Sequence, residues 1–113
     1  MRYEVFLRAD RPLDPTQQAE IVELHAAQGG GTDCALYREA RQVLGADLSV
    51  AVESAQAAER LCALAFTLTQ RLGLAAFDPQ LGRPIGEGER ELVAARIEQM
   101  RAFAQAVPLS PPS

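Results

Sequence analysis

The sequence predicts an α+β domain in which helices pack against a small β-sheet. Two periodicities occur in its 113 residues. Some segments alternate apolar and polar residues, which is typical of strands with one buried face, and others repeat apolar residues every three to four positions, which is typical of helices. Hydrophobic residues make up 48% of the chain, enough to fill one core at this length. We therefore expect a single domain over residues 1–107 and a flexible tail, PLSPPS, at 108–113.

The N-terminal third is predicted to hold one strand and one helix. RYEVFLR at residues 2–8 alternates, which predicts a strand with one apolar face. Asp14 to Gln17 combine an acidic N-cap, Pro at the first helical position and Gln three residues after the cap. A helix should begin there and end at the three glycines 29–31.

The middle of the chain is predicted to contain a second helix, a strand and a third helix. Asp33 is a suitable N-cap for CALYREARQVL, and Gly45 is a suitable C-terminal stop. Residues 47–53 alternate and predict a strand. Residues 55–72 carry a leucine and alanine stripe at helical spacing and precede Gly73, so this helix should lie at the centre of the core.

The C-terminal part is predicted to add two strands and a last helix. Residues 74–77 should form a strand parallel to 47–53, as a right-handed crossover requires, and Arg83–Ile85 should pair with it as a hairpin. The predicted order is β-α-α-β-α-β-β-α with a mixed sheet, a variant of the ferredoxin-like arrangement. The last helix should share one apolar face among Val93, Ile97, Met100 and Ala104.

The stretch FDPQLG at residues 77–82 predicts a turn between two strands. Asp78 can accept hydrogen bonds from backbone N–H groups that a turn leaves free, Pro79 restricts φ, and Gly82 permits the chain to reverse. If the carboxylate has this structural role alone, Asp78→Asn should retain most of the stability, because the amide oxygen is still an acceptor.

Glu53 and Asp78 offer an alternative, catalytic interpretation. If residues 47–53 and 74–78 are parallel strands, both carboxylates lie at their carboxyl ends, where open sheets hold ligands, and they could act as a general acid and base. The structural interpretation, in which each carboxylate caps a turn or pairs with an Arg, is preferred.

Several segments together resemble a known family. These segments are the opening strand YEVFL followed by RPL, the helix segment LYREARQVLG, a later strand and helix, and LGLAAFDPQLGRPI. Together they resemble a family of small uncharacterised bacterial proteins in which a helix ends in "hGL" and precedes a strand and "[YF]DPQxG". The resemblance covers most of residues 3–85 and implies no catalytic residue. This chain departs from the pattern by a short segment before its second predicted strand and by an additional C-terminal helix.

Charge and targeting features restrict the function classes. The formal net charge of -4 disfavours nonspecific binding to nucleic acids and to anionic membranes. Neither a signal peptide nor an apolar run of membrane-spanning length is apparent, so a cytoplasmic location is expected.

Recognisable site motifs are weak. The glycine-rich segments GGGTD and GEG lack the G-K-[ST] ending of a phosphate loop and carry acidic residues. His25 has no second imidazole with which to share a metal, and Cys34 and Cys62 are too far apart for a C-x-x-C motif and should stay reduced. No cofactor and no metal site are predicted.

The preferred interpretation is a non-enzymatic protein-binding domain, of which an immunity protein that inhibits a bacterial toxin through an acidic surface is one example. A small-molecule enzyme or ligand sensor that uses Glu53 and Asp78 is the alternative. A homodimer through the exposed sheet or the last helix is a third option. The candidate partner-binding acids are Asp10, Asp33, Glu39 and Asp47.

Overall fold

A computed structural model describes residues 2–28, 30–51, 55–80 and 82–86, together with the helical residues 95, 96, 98, 99 and 102. The predicted last helix and the predicted tail fall largely or wholly outside these residues. The elements, in chain order, are β1 (Arg2–Arg8), α1 (Pro15–Gln28), β2 (Thr32–Glu39), β3 (Gln42–Ala51), α2 (Ala55–Leu72), β4 (Ala75–Asp78) and β5 (Arg83–Ile85).

The five strands form one sheet in the order β2-β3-β1-β4-β5, and all paired neighbours are antiparallel. The predicted α+β class is confirmed. The predicted mixed sheet and the order β-α-α-β-α-β-β-α are wrong. β3 and β4 run in the same direction, as a helical crossover requires, but β1 lies between them and hydrogen-bonds to both. The two segments predicted to be parallel are therefore not neighbours.

The predicted second helix is a β-hairpin made of β2 and β3. Asp33, predicted as its N-cap, lies in β2, and Gly45, predicted as its end, lies inside β3. The hairpin turns at Ala40 and Arg41, whose φ angles of 51° and 69° are those of a tight two-residue hairpin turn. Pairing of β3 with both β1 and β2 outweighs the helical spacing of the local apolar residues, because short segments carry both patterns.

Gly45 illustrates why this segment extends as a strand. A Cβ atom at this position would lie 1.8 Å from the carbonyl oxygen of Leu7 on β1. Glycine therefore permits the close approach of β3 to β1. The strand begins at Gln42, five residues before the predicted start.

The core lies between the helices and one face of the sheet. The predicted stripe of α2 is confirmed, with Leu61, Leu64 and Leu68 fully buried. The predicted inner face of β1 is also confirmed. The sheet residues buried against the helices are Tyr3, Val5, Leu7, Val43, Ala46, Leu48, Val50, Ala76 and Ile85. Among the described elements, the helices α1 and α2 thus cover one face of the sheet, and we term the other face the open face.

Candidate functional site

The turn between β4 and β5 is held by a buried carboxylate. Asp78 is 0% exposed, and its Oδ1 accepts hydrogen bonds from the backbone N–H of Gln80 (2.8 Å) and from Gln80 Nε2 (2.6 Å). Its Oδ2 accepts a hydrogen bond from the hydroxyl of Tyr3, which is also fully buried. Asp78 therefore links the turn to β1 through the core side of the sheet.

Gln80 completes the pairing of β4 with β1. In the observed register, Pro79 would lie opposite Glu4, but proline has no N–H to donate. The side-chain amide of Gln80 bonds to Glu4 instead: its Oε1 accepts from the backbone N–H (2.8 Å), and its Nε2 donates to the carbonyl (2.9 Å). The backbone N–H of Gly82 donates to the carbonyl of Asp78 (2.8 Å) and closes the turn.

Sequence reasoning found this turn but missed two of its members. The predicted hairpin of β4 and β5 is confirmed. The roles of Tyr3 and Gln80 depend on residues about 75 positions away in the chain, so no local pattern indicates them. One signal is present in the sequence: Pro79 directly follows the strand and cannot donate a main-chain hydrogen bond, so the neighbouring strand needs another hydrogen-bond partner there.

The geometry of Asp78 does not support the catalytic pair of Glu53 and Asp78 that the sequence offers as an alternative. Glu53 lies outside the described residues. Asp78 faces the core with both oxygens engaged, and β1 separates its strand from β3. A general acid or base must reach the proton that it transfers, and the Asp78 carboxylate has no exposed surface.

Burial keeps Tyr3 protonated. It raises the pKa of the Tyr3 phenol far above its usual value, and the hydrogen bond to Asp78 and the negative charge of Asp78 raise it further. The positive charge of Arg96 opposes this shift in the pKa. Tyr3 therefore acts as a hydrogen-bond donor to a buried carboxylate.

This shift predicts a loss of stability at alkaline pH. Below pH ~10 the phenol is protonated in both the folded and the unfolded chain. Above that pH the unfolded chain releases the proton and the folded chain keeps it, so the free energy of unfolding should fall by ~1.4 kcal/mol per pH unit from this group. Urea unfolding from pH 8 to pH 11 should show this fall in the wild type and a shallower one in Tyr3→Phe. Parallel pH profiles of the two proteins would contradict the assignment.

The open face carries a row of side chains that crosses the whole sheet. The strand registers align one residue from each strand in the order Ala35, Asp47, Phe6, Phe77 and Pro84. Phe6 and Phe77 are half-buried, and Ala35 and Pro84 are exposed. The residues of the row on β4 and β5 are apolar. On β2 and β3 the row contains the charged Asp47, and further charged residues lie beside it.

Two ion pairs organise the charged half. Arg2 bonds to Asp33 and donates to Ser49 Oγ (3.0 Å). Arg8 Nη1 lies 2.7 Å from Asp47 Oδ1, and its guanidinium carbon lies 3.7 Å from the centre of the Tyr37 ring. A shallow depression of about 290 Å³ lies beside these ion pairs, and Glu4, Phe6, Asp33, Asp47 and Ser49 are among the residues that line it. Exposed ion pairs add little stability, but the stacking of Arg8 on an aromatic ring holds it in one position.

The structure brings together some of the candidate partner-binding acids. Asp33 and Asp47 lie on the open face, each in an ion pair with an Arg. Glu39 lies at the end of β2, where it accepts a hydrogen bond from the Tyr37 hydroxyl (3.4 Å). Asp10 lies in the loop between β1 and α1 and lines a groove of about 380 Å³. Three of the four acids thus belong to the β2 and β3 hairpin.

The histidine and the cysteines have structural surroundings. His25 Nε2 lies 2.5 Å from the carbonyl oxygen of Thr32, to which this nitrogen donates. Burial raises the pKa of the Cys34 thiol, and the charge of Asp47 adds to this effect, so the reactive thiolate is disfavoured. Within the described part of the chain, no three His, Cys, Asp or Glu side chains lie close enough to hold a metal ion.

In the described part of the chain, none of the helical segments combines the length and the apolar character that spanning a lipid bilayer requires. The sequence matches no protein-family model and no curated protein, and the structure matches no solved structure. The open face and the buried turn are therefore the features that bear on function.

Proposed function

We propose that this chain is a non-enzymatic protein-binding domain and that the open face of its sheet is the binding surface. The observation that carries this proposal is the row of Phe6, Phe77 and Pro84 beside the ion pairs of Arg2 and Arg8. An apolar centre next to a polar rim is the usual anatomy of a protein interface. Aromatic and Arg side chains are also enriched at such interfaces.

The contacts of Arg8 support the proposal that the open face is preorganised for binding. Its guanidinium is in contact with Asp47 and stacks on Tyr37, and it lies 5.2 Å from the centre of the Phe6 ring. Three neighbours thus restrict this long side chain before a partner arrives. Less rotational freedom is then lost on binding, which favours affinity.

The proposed partner is a basic protein. Among the described residues, the open face carries the acidic side chains Glu4, Asp33 and Asp47 beside Arg2 and Arg8, and Glu39 lies next to Tyr37 at the end of β2. The whole chain has a net charge of -4. Such a surface accelerates association with a positively charged partner through long-range attraction. The specific function that we propose is that of a cytoplasmic immunity protein, whose partner is a basic domain of a bacterial toxin.

A matched pair of Ala→Arg variants tests the surface. Ala75 is exposed on the open face, and Ala27 is exposed on α1. Used as baits, wild type and Ala27→Arg should retain the same partner protein, and Ala75→Arg should lose it because its side chain obstructs the apolar half of the row. If Ala75→Arg retains every protein that the wild type retains, or if the wild type retains none, the open-face proposal is wrong.

Charge neutralisation then tests the acidic mechanism with the purified partner. Asp33→Asn with Glu39→Gln should slow association at low salt and weaken its salt dependence, because rim charges act mainly on the association rate. The control is Glu23→Gln with Glu59→Gln, two exposed acids on the helices. Equal association rates for the two double variants would contradict attraction through the β2 and β3 hairpin.

A further inference from the structure

The two edges of the sheet differ in their protection. β5 is three residues long and has Pro84 at its centre, and both features block the addition of another strand. β2 is eight residues long, contains no Pro, and has four uncharged residues, Cys34 to Tyr37, in its middle. Natural proteins protect long edge strands against unwanted pairing. Because the middle of β2 lacks the protection that β5 has, the β2 edge is suited to pairing with a partner strand.

The hydrogen-bonding phase identifies the main-chain groups of this edge that bond to no other described strand. The backbone N–H of Ala9 donates to the carbonyl of Leu44 (2.7 Å) in continuation of the β1 and β3 register. Main-chain groups alternate in direction along a strand, so this bond places the main-chain groups of Cys34 and Leu36 on the outer edge of β2. The main-chain groups of Thr32 point in the same direction as those of Cys34 and Leu36, and the Thr32 carbonyl accepts a hydrogen bond from His25 outside the sheet.

An exposed apolar side chain lies beside this edge. Val22 on α1 is 55% exposed and is the exposed large hydrophobic residue among those that the structure describes. It precedes His25 by three positions, so the two side chains share one side of the helix. Because His25 reaches the carbonyl of Thr32 on β2, Val22 lies on the side of α1 that faces the free edge.

We propose that two copies of the chain form a two-fold dimer by antiparallel pairing of their β2 strands. The two-fold axis is perpendicular to the sheet, so equivalent faces of the two copies lie on the same side. We place the axis at Ala35, so that this residue lies opposite Ala35 of the second copy. Asp33 then lies opposite Tyr37 of the second copy, whose hydroxyl can donate to Asp33 in place of Glu39. A register shifted by one residue per strand would place Asp33 opposite Glu39 and create two repulsive pairs. The register centred on Ala35 avoids these repulsive pairs.

The dimer joins the two sheets into one and leaves both open faces available. The two copies of α1 lie on either side of the axis, where their Val22 side chains approach each other. Burial of these apolar groups adds to the hydrogen bonds of the paired strands. The proposed partner-binding surfaces then lie on the same side of a continuous sheet.

Sedimentation equilibrium from about 5 to about 500 µM tests the dimer, because mass action makes association depend on concentration. The wild type should change from monomer to dimer over this range. Val22→Arg should raise the dimer Kd at least ~10-fold, because it places two like charges at the axis. Ala35→Glu should do the same through repulsion between equivalent side chains. Ala75→Arg lies three strands away from β2, and Ala27→Arg lies at an exposed position of α1 that is not three or four residues from Val22. Both variants should dimerise like the wild type.

Amide hydrogen exchange gives a second readout at the strand itself. The N–H groups of Cys34 and Leu36 should exchange more slowly as the wild-type concentration rises, and should show no such change in Val22→Arg. Circular dichroism should show that each variant is folded, and Val22→Arg changes an exposed helical position, so it decides the test if Ala35→Glu fails to fold. A wild type that is monomeric throughout overturns the proposal. Loss of the dimer in Ala75→Arg with its retention in Val22→Arg also overturns it, and would assign the interface to the open face.

Discussion

Asp78→Ala is expected to lower the free energy of unfolding by ~3–5 kcal/mol, since it removes a buried acceptor from at least three donors at once. The hydroxyl of Tyr3 and both the backbone and side-chain nitrogens of Gln80 would lose a partner. A buried polar group without a partner costs ~1–3 kcal/mol. Urea unfolding followed by circular dichroism at pH 7 measures the change.

Asp78→Asn separates the charge from the shape of this side chain. The sequence predicts that Asn retains most of the stability because its oxygen still accepts. In the structure both carboxylate oxygens accept hydrogen bonds, whereas an amide offers one oxygen and directs its NH₂ group at a donor. We therefore now expect a loss of ~1–3 kcal/mol for Asp78→Asn.

The control for both variants is Asp10→Ala, at an exposed loop carboxylate, which should change stability by less than ~0.5 kcal/mol. If Asp78→Ala costs no more than this control, the buried network does not stabilise the turn. A folded Asp78→Asn protein that has lost partner binding, with its stability unchanged, would instead assign Asp78 a role in function.

Leu68→Ala is expected to lower the free energy of unfolding by ~2–5 kcal/mol. Leu68 is 0% exposed on α2, among the apolar residues that fill the space between this helix and the sheet. Removing its three outer carbon atoms loses their burial and leaves a cavity, because neighbouring side chains relax only in part. Chemical denaturation with a two-state fit measures the loss.

Glu59→Ala provides the control on the same helix. Glu59 is exposed, and alanine has the better helix propensity, so its effect should stay within ~0.5 kcal/mol. A loss below ~1 kcal/mol for Leu68→Ala would show that α2 does not occupy the centre of the core. The predicted stripe on this helix would then have no packing role.

Local patterns predicted several elements correctly for identifiable reasons. The capping sequence from Asp14 to Gln17 predicted the start of α1, and the hydrogen bonds of a capping box between these two residues are present (2.8 and 3.0 Å). The apolar stripe and Gly73 predicted α2, and alternation predicted β1. Each signal lies within one or two turns of a helix or within one strand, so the sequence alone contains it.

The helix predicted from Asp33 to Gly45 is wrong because the apolar residues of this segment satisfy both the helical and the strand period. Leu36, Ala40, Val43 and Leu44 have helical spacing, but in the structure β3 pairs on both sides and β2 joins it through a tight turn. The energy of that pairing comes from β1, more than thirty positions away in the chain. A pattern read within the segment cannot include it.

The candidate site divides in the same way. The sequence indicated a turn at Asp78 and an apolar Phe6 on the otherwise polar face of β1. The strand order decides that Phe6 pairs with Phe77 across β1 and β4. It also decides that Arg8 contacts Asp47 and Tyr37.

By itself, the sequence determined the α+β class, the acidic character and the positions of most helices and strands, because composition, caps and hydrophobic periods are local properties. The tertiary structure alone decided which strands are neighbours, which acids are paired with Arg, and that Asp78 is buried beneath the turn it was predicted to form. These features arise from contacts between distant residues, and the free energy of those contacts exists only once the sheet has assembled.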